Sequence, residues 1–352
     1  MNVLSLLDRL RLGEKLSLAQ YECLIKGFSE ESVEYAARLA NEVRKPIYGN
    51  SVYIRGLIEV GNYCKNDCYY CGIRRSNKKI ERYTLTIEQI LACCFEGYSL
   101  GFRTFVLQGG EGVYPVKKIC EIVREIKQRY QDCAVTLSLG EYDFKDYKLM
   151  REAGADRYLL RHETADAAHY SMLHPMEQSL EHRMACLKEL KRLGFQVGCG
   201  FMVGSPHQTM GMIAKDLKFI EEFNPEMCGI GPFIPQKDTP FGDQPKGSAE
   251  LTIYLLSIIR LIKPDILLPA TTALGSILPD GRERGILAGA NVIMPNLSPK
   301  ESRDKYALYD NKLSSGAEAA ENLNALKLRM NKIGFKIVNA RGSYGDPVCF
   351  ED

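Results

Sequence analysis

Eight short apolar runs, each trailed by an amphipathic stretch, constrain this chain more than any other feature. They are VYIRGLIEV from Val52, TFVLQ from Thr104, AVTLSL from Ala134, RYLLR from Arg157, QVGCGFMV from Gln196, MCGIGPF from Met227, ILLPA from Ile266 and NVIMP from Asn291. Between them, stretches such as IEQILACCFEGYSLG, VKKICEIVREIKQRY, LEHRMACLKELKRLG and AKDLKFIEEF repeat with helical spacing. Alternating strand and helix without hairpin signals predicts a parallel sheet in an α/β protein. Eight such units predict a closed (β/α)8 barrel of TIM type. An open, doubly wound sheet is the alternative, but the GxGxxG cradle after a first strand that would favour it is absent. The expected layout is an N-terminal helical extension over residues 1–47, the barrel over 48–314, and a closing helix and tail over 315–352.

The two faces of each strand read differently. Side chains alternate across a strand, so Tyr53, Arg55, Leu57 and Glu59 share one face, as do Arg157, Leu159, Arg161 and Glu163, and Thr136 and Ser138. Strands buried on both faces read as continuous apolar runs, and these do not. The apolar face belongs against the helices and the polar face inside the barrel. Unpaired charges in a dry interior are prohibitively costly, so the lumen is expected to be a wet cavity for a polar, anionic ligand.

The remaining composition excludes several classes. A formal charge of +2 over 352 residues gives no basic surface for nucleic acid or anionic lipid. No apolar run approaches the roughly 20 residues needed to cross a bilayer, and the first residues read as an amphipathic helix, not a leader. Twelve cysteines in such a chain point to reduced thiols or metal ligation in the cytoplasm.

Three of those cysteines crowd into eight positions, Cys64, Cys68 and Cys71 in VGNYCKNDCYYCGIRRSN. They follow the first strand, on the barrel end where TIM-type active sites are built. Thiolates suit zinc and iron–sulfur clusters. A structural zinc site closes with four protein ligands, and no fourth lies nearby in sequence. Two readings stand: a 4Fe–4S cluster with one open iron, or zinc completed by an exogenous ligand.

The C-x3-C-x2-C spacing, with aromatic Tyr70 before the last cysteine, resembles the signature of radical S-adenosylmethionine (SAM) enzymes. The resemblance implies one 4Fe–4S cluster on Cys64, Cys68 and Cys71. It also implies SAM chelating the fourth iron, and reductive cleavage to methionine and a 5′-deoxyadenosyl radical. TLSLGE, DRYLLRHETA, GFMVGSPHQT, GIGPFIPQKDTP, LPATTALGSI and GANVIMPN further resemble the HydE family of FeFe-hydrogenase maturases. Biotin synthase and methylornithine synthase are more distant relatives of the same architecture.

By that resemblance Arg161, Glu163 and Arg183 hold SAM, helped by Tyr70, Ser138, Gly204 and the segment Gln108, Gly109, Gly110 and Glu111. Arg55, Thr136, Arg157, Thr271 and Thr272 are expected to line the substrate cavity, with Tyr306 and Tyr309 at its mouth. The implied substrate is a cysteine-bound iron carbonyl–cyanide unit on the route to the diiron subcluster, in anaerobic metabolism. The implied partners are a tyrosine-cleaving radical SAM maturase, a GTPase scaffold, and ferredoxin or flavodoxin as electron donor. His162 falls on the apolar face and is expected to be packed rather than ligating. Cys23, Cys120, Cys133, Cys186, Cys199, Cys228 and Cys349 read as isolated small apolar residues. No cysteine lies between Cys228 and Cys349, so a single cluster is expected. The alternatives are methylornithine-synthase-like or biotin-synthase-like chemistry on a small amino-acid-like substrate, and a non-catalytic iron–sulfur scaffold or electron carrier.

Overall fold

The computed structural model of the chain describes residues 2–313 and 320–346; Cys349 and the expected boundary near residue 314 lie outside them. Helices α1 (Val3–Arg11), α2 (Leu18–Lys26) and α3 (Glu30–Tyr48) come first. The first expected strand is broken at Arg55 into β1 (Ser51–Ile54) and β2 (Gly56–Gly61). Next come α4 (Ile87–Ser99), β3 (Thr104–Gly109), α5 (Val116–Arg129), β4 (Ala134–Ser138), α6 (Phe144–Glu152) and β5 (Arg157–Leu159). Then follow α7 (Ala167–Leu173), α8 (Leu180–Arg192), β6 (Gln196–Cys199), β7 (Met202–Val203) and α9 (Met210–Phe223). The last third holds β8 (Met227–Cys228), β9 (Gly231–Pro232), α10 (Ala249–Ile262), α11 (Thr272–Ile277), α12 (Gly281–Leu287) and β10 (Val292–Ile293). The described chain closes with α13 (Lys300–Arg303), α14 (Leu323–Lys332) and β11 (Lys336–Val338).

The strands form a closed parallel ring. One sheet runs β2-β3-β4-β5-β6-β8, and Met227 continues it to Leu267. Pro269 then pairs with Val292, and β10 pairs with β1 through Tyr53 and Ile54. The eight apolar runs supply the eight staves, as expected. Register sets the inward layers, because residues paired across parallel strands face the same way. Leu57, Val106, Thr136 and Arg157 make one layer, and Glu59, Gln108 and Ser138 the layer above it. The opposite face, with Ile58, Leu107, Leu137, Tyr158 and Val197, is buried in the apolar core under the helices.

The lower end of the barrel is plugged. β11 adds in parallel to β1, and the chain after it passes beneath the strands. Thr104 donates to the Arg341 carbonyl at 2.7 Å, and Gln196 and Tyr344 exchange hydrogen bonds at 3.1 and 3.0 Å. Arg157, wholly buried, donates to Gln196, to Thr104, and to both the Arg341 carbonyl and the Ser343 hydroxyl at 2.6–3.2 Å. This corrects the expectation that Arg157 anchors substrate: its guanidinium ties the tail to the barrel floor. Arg157→Met therefore lowers stability by at least about 1.5–3 kcal/mol, the range for hydrogen bonds to a charged group, read from denaturant unfolding. Substrate response at a permissive temperature stays normal. A lost substrate response with unchanged stability would restore the earlier reading.

Candidate active site

The cysteine loop leaves the top of β2 and is braced on every side. Arg82 donates to the carbonyls of Asn62, Ile73, Arg74 and Asn77. Arg74 and Asp67 pair at 2.8 Å within the loop. A β-carbon on Gly72 would overlap the Ala307 carbonyl, and one on Gly110 the Tyr63 carbonyl and Cys64; only glycine permits both approaches. Arg82 was missed in the sequence, where an arginine past the last cysteine carries no signal of its own.

Cys64, Cys68 and Cys71 are half-buried free thiols. Burial raises all three pKa values, Cys68 to about 12, and each of Cys68 and Cys71 is raised further by its neighbours in the trio. Three adjacent thiolates are untenable without cationic compensation, which is the condition an iron–sulfur core supplies. They do not converge on one ion. Among the described residues the set of three metal-capable side chains with ligand atoms within 4.8 Å of one another is Glu141, His182 and Cys186. The three sulfurs of the cysteine loop are not all within that distance of one another, which a polynuclear core accommodates.

Beside the loop sits an ion triad. Arg183 points inward because Leu180, Arg183, Cys186, Leu187 and Leu190 form the buried face of α8, whose N-terminus Ser179 caps. It pairs with Glu141 and donates to the Arg161 carbonyl at 2.7 Å. Burial opposes its charge, but Tyr170, Glu141 and Tyr70 outweigh that and hold its pKa above the usual value. Arg161 Nη2 and Glu163 Oε2 form an ion pair at 3.2 Å that lacks hydrogen-bond geometry, and these two buried atoms and Arg161 Nε have no hydrogen-bond partner. Glu163 also holds φ at +65°, a strained value for a side-chain-bearing residue. Glu163 and Arg183 both act electrostatically on Cys68. Unsatisfied charged donors and an acceptor beside three thiols fit a zwitterionic amino-acid ligand, as SAM presents.

Other expected residues divide. The Glu111 side chain is engaged within the protein: its oxygens accept from Lys65 at 2.9 Å and from the Glu141 amide at 2.8 Å, so it joins the cysteine loop to the end of β4. Gln108 reaches the buried Tyr306 hydroxyl, and Ser138 shares its inward layer. Tyr70 places its hydroxyl 3.2 Å from His174 Nε2. Gly204 makes a left-handed turn against Gly247. The Tyr306–Tyr309 segment crosses the mouth, where Gly72 donates to the Leu308 carbonyl at 2.9 Å. Deeper down, Arg55 Nε, Thr136 Oγ1 and Thr271 Oγ1 are buried and unpartnered, and Thr272 opens α11 beside Thr271. Lys312, unforeseen in the sequence, reaches into the barrel and meets Glu59 at 2.5 Å, with Asn296 on the other carboxylate oxygen at 2.9 Å. His162 is packed as expected, between Phe201, Phe219 and Asp216. A groove of about 1290 Å3 between α8 and α9 lies outside the barrel and contains none of these residues.

Comparison with known proteins agrees with this geometry. The radical SAM superfamily matches residues 58–220, which include the cysteine loop and the triad. The HydE subunit of the [FeFe] hydrogenase maturase from Thermotoga maritima is 45% identical over 82% of this chain and 81% of its own. The chain belongs to the radical SAM superfamily. Within it, 3-methylornithine synthase from Methanosarcina acetivorans is 30% identical over 86% of this chain and 87% of its own. The crystal structure of methylornithine synthase (PylB) superposes with a TM-score of 0.84 at 27% identity, covering 95% of this chain and 97% of that one. HydG from Carboxydothermus hydrogenoformans shares the fold, with a TM-score of 0.79 at 18% identity over 99% of this chain and 81% of its own.

As a radical SAM enzyme the chain uses a 4Fe–4S cluster and SAM, and Gln178 then acquires a role. Its Oε1 lies 3.4 Å from Cys68 Sγ, while its buried Nε2 has no partner. A Cys68 thiolate holding iron would only accept, and the amide would then present Nε2 to the sulfur in place of Oε1. Hydrogen bonds to cluster sulfurs tune reduction potential, and one more donor stabilises the reduced, more negative state. Gln178→Leu therefore shifts the cluster midpoint to more negative potential in an EPR-monitored redox titration. An unchanged midpoint would show that the amide leaves the sulfur alone.

Proposed function

We propose that this enzyme acts in FeFe-hydrogenase maturation, on a cysteine-bound iron carbonyl–cyanide intermediate held in the barrel lumen. The observation that carries the reading is the set of unsatisfied donors below the cluster loop: Arg55 Nε, Thr136 Oγ1 and Thr271 Oγ1, all buried. Arg55 Nη1 and Nη2 meet Met227 Sδ and the Gly342 carbonyl at 3.0 and 3.4 Å, which leaves its Nε and the two hydroxyls to suit an anionic, ligand-rich iron unit, and the relationship to HydE at 45% identity supports the same assignment.

In this reading Cys64, Cys68 and Cys71 hold the cluster, and Arg161, Glu163 and Arg183 orient the amino and carboxylate groups of SAM. Gln108, Gly109, Gly110, Ser138, Gly204 and Tyr70 shape the pocket around it. A cluster held there would supply the one-electron reduction of the sulfonium, the chemistry that releases methionine and a 5′-deoxyadenosyl radical. The closed parallel ring above the plugged floor keeps that radical from solvent. Tyr306, Tyr309 and Lys312 cover the mouth, and Thr272 stands with Thr271 on the lumen side. Partner maturases (a tyrosine-cleaving radical SAM enzyme and a GTPase scaffold), a ferredoxin or flavodoxin donor and a cytoplasmic setting complete the proposal. No described helix is long and apolar enough to cross a membrane.

The test follows SAM consumption by reduced, cluster-loaded enzyme with and without the cysteine–iron carbonyl complex. Strong stimulation with adenosyl-bearing or deoxyadenosine products supports the substrate. Stimulation by a free amino acid alone transfers the assignment to methylornithine-synthase-like chemistry, and no cleavage under strong reductant leaves a non-catalytic cluster carrier.

A further inference from the structure

We infer a second metal site, for a zinc-like divalent ion, formed by Glu141, His182 and Cys186. It stands apart from the cluster cysteines and does not depend on the substrate proposed above. His182 and Cys186 are four residues apart on α8, so helical geometry stacks them on one face. Glu141 comes to them from the loop after β4. His182 Nε2 lies 3.5 Å from Glu141 Oε2 and 3.6 Å from Cys186 Sγ, and all three ligand atoms fall within 4.8 Å of one another. Around tetrahedral zinc, with Zn–S about 2.3 Å and Zn–N or Zn–O about 2.0 Å, ligand atoms sit about 3.3–3.6 Å apart. The two separations from His182 Nε2 fall in that range, and the Glu141 oxygen and Cys186 sulfur lie within 4.8 Å of each other.

The donor set is one soft thiolate, one imidazole and one carboxylate, a combination suited to Zn2+ and not to Mg2+ or Ca2+. The carboxylate is fixed before any metal arrives, since its other oxygen accepts from Arg183 Nε. Cys186 is buried while the His182 side chain is 58% exposed, which gives a rigid inner ligand and a solvent-side entry. Binding replaces the Cys186 thiol proton with the ion and releases that proton to water; nothing is oxidised or reduced. Three protein ligands leave a fourth position for water, the arrangement of open zinc sites. Because Glu141 would hold the ion through one oxygen and Arg183 through the other, occupancy is coupled to the side chain expected to bind the SAM carboxylate.

The experiment titrates Zn2+ into anaerobic, cluster-loaded enzyme by calorimetry, alongside His182→Ala and Cys186→Ala, and measures zinc-edge EXAFS at one equivalent. One ion per chain is expected, with one sulfur and the remainder nitrogen or oxygen in the first shell. Each variant weakens binding at least about 100-fold, as loss of one of three ligands requires. His182 is exposed, so His182→Ala keeps the test decisive even where Cys186→Ala perturbs packing. Absent binding, equal affinity in His182→Ala, or a shell of several sulfurs would each overturn the assignment, the last by placing zinc on the cluster cysteines.

Discussion

Cys68→Ser enzyme is expected to hold no stable 4Fe–4S cluster and to cleave SAM at background rate. In the proposed reading the three thiols are the cluster's protein ligands, and a serine oxygen is a hard donor in a position that calls for a soft one. The expected fall is at least about 10³-fold, modest beside the roughly 10⁶-fold or greater accelerations enzymes provide. Iron and sulfide content of anaerobically reconstituted protein, with single-turnover SAM cleavage, makes the measurement. Cys94→Ser is the matched control, because Cys94 is wholly buried on α4 and away from the loop. Full cluster occupancy in Cys68→Ser would show that the loop is not the cluster site.

Lys312→Met is the second large effect, this time on stability. Glu59 is fully buried, and Lys312 is the cation that meets it, with its side chain 9% exposed. Removing one partner of a buried ion pair typically costs about 3–5 kcal/mol, because the other charge is stranded. Burial already raises the Glu59 pKa; Lys312 and Asn296 pull it down without fully offsetting that. A carboxylate whose folded pKa is raised binds more protons when folded, so its contribution is fully present below the unfolded value and is lost as pH rises through the folded value. Lys312→Met moves the folded value higher still. Its penalty is therefore larger at pH 8 than at pH 5 in urea unfolding, and Glu59→Gln/Lys312→Met recovers most of it. A pH-independent penalty, or no recovery in the double variant, would contradict the pairing.

The fold was legible because its signal is periodic. Eight runs with one apolar face specify both the staves and which side turns inward, and register places Glu59, Gln108, Ser138, Thr136 and Arg157 on that side. Face is not height, however. Nothing in RYLLR tells that Arg157 stands at the floor, where a tail 184 residues downstream meets it. Arg183 was expected only through the family resemblance, and its place on the buried face of α8 comes from the structure; the spacing of Cys64, Cys68 and Cys71 marked a metal loop but left cluster and zinc both open. Glu111 fell in a recognisable segment, but its contacts to Lys65 and Glu141 come from separate loops. Lys312 and Gln178 sit in irregular stretches with no pattern, and their roles come from contacts 253 and 110 residues away. Long-range contacts of this kind carry no local signature, so the cysteine loop stood out in the sequence and the residues that brace it did not.

The central claim is that three thiols leave one iron open for SAM, which Arg161, Glu163 and Arg183 align. The most direct measurement is electron–nuclear double resonance on the reduced cluster with SAM labelled at its carboxylate oxygen and amino nitrogen. Hyperfine coupling to both labels is expected, and Arg183→Leu should weaken or abolish it while leaving the cluster intact. A reduced cluster with bound SAM and no coupling to either label would mean that the fourth iron takes a different ligand.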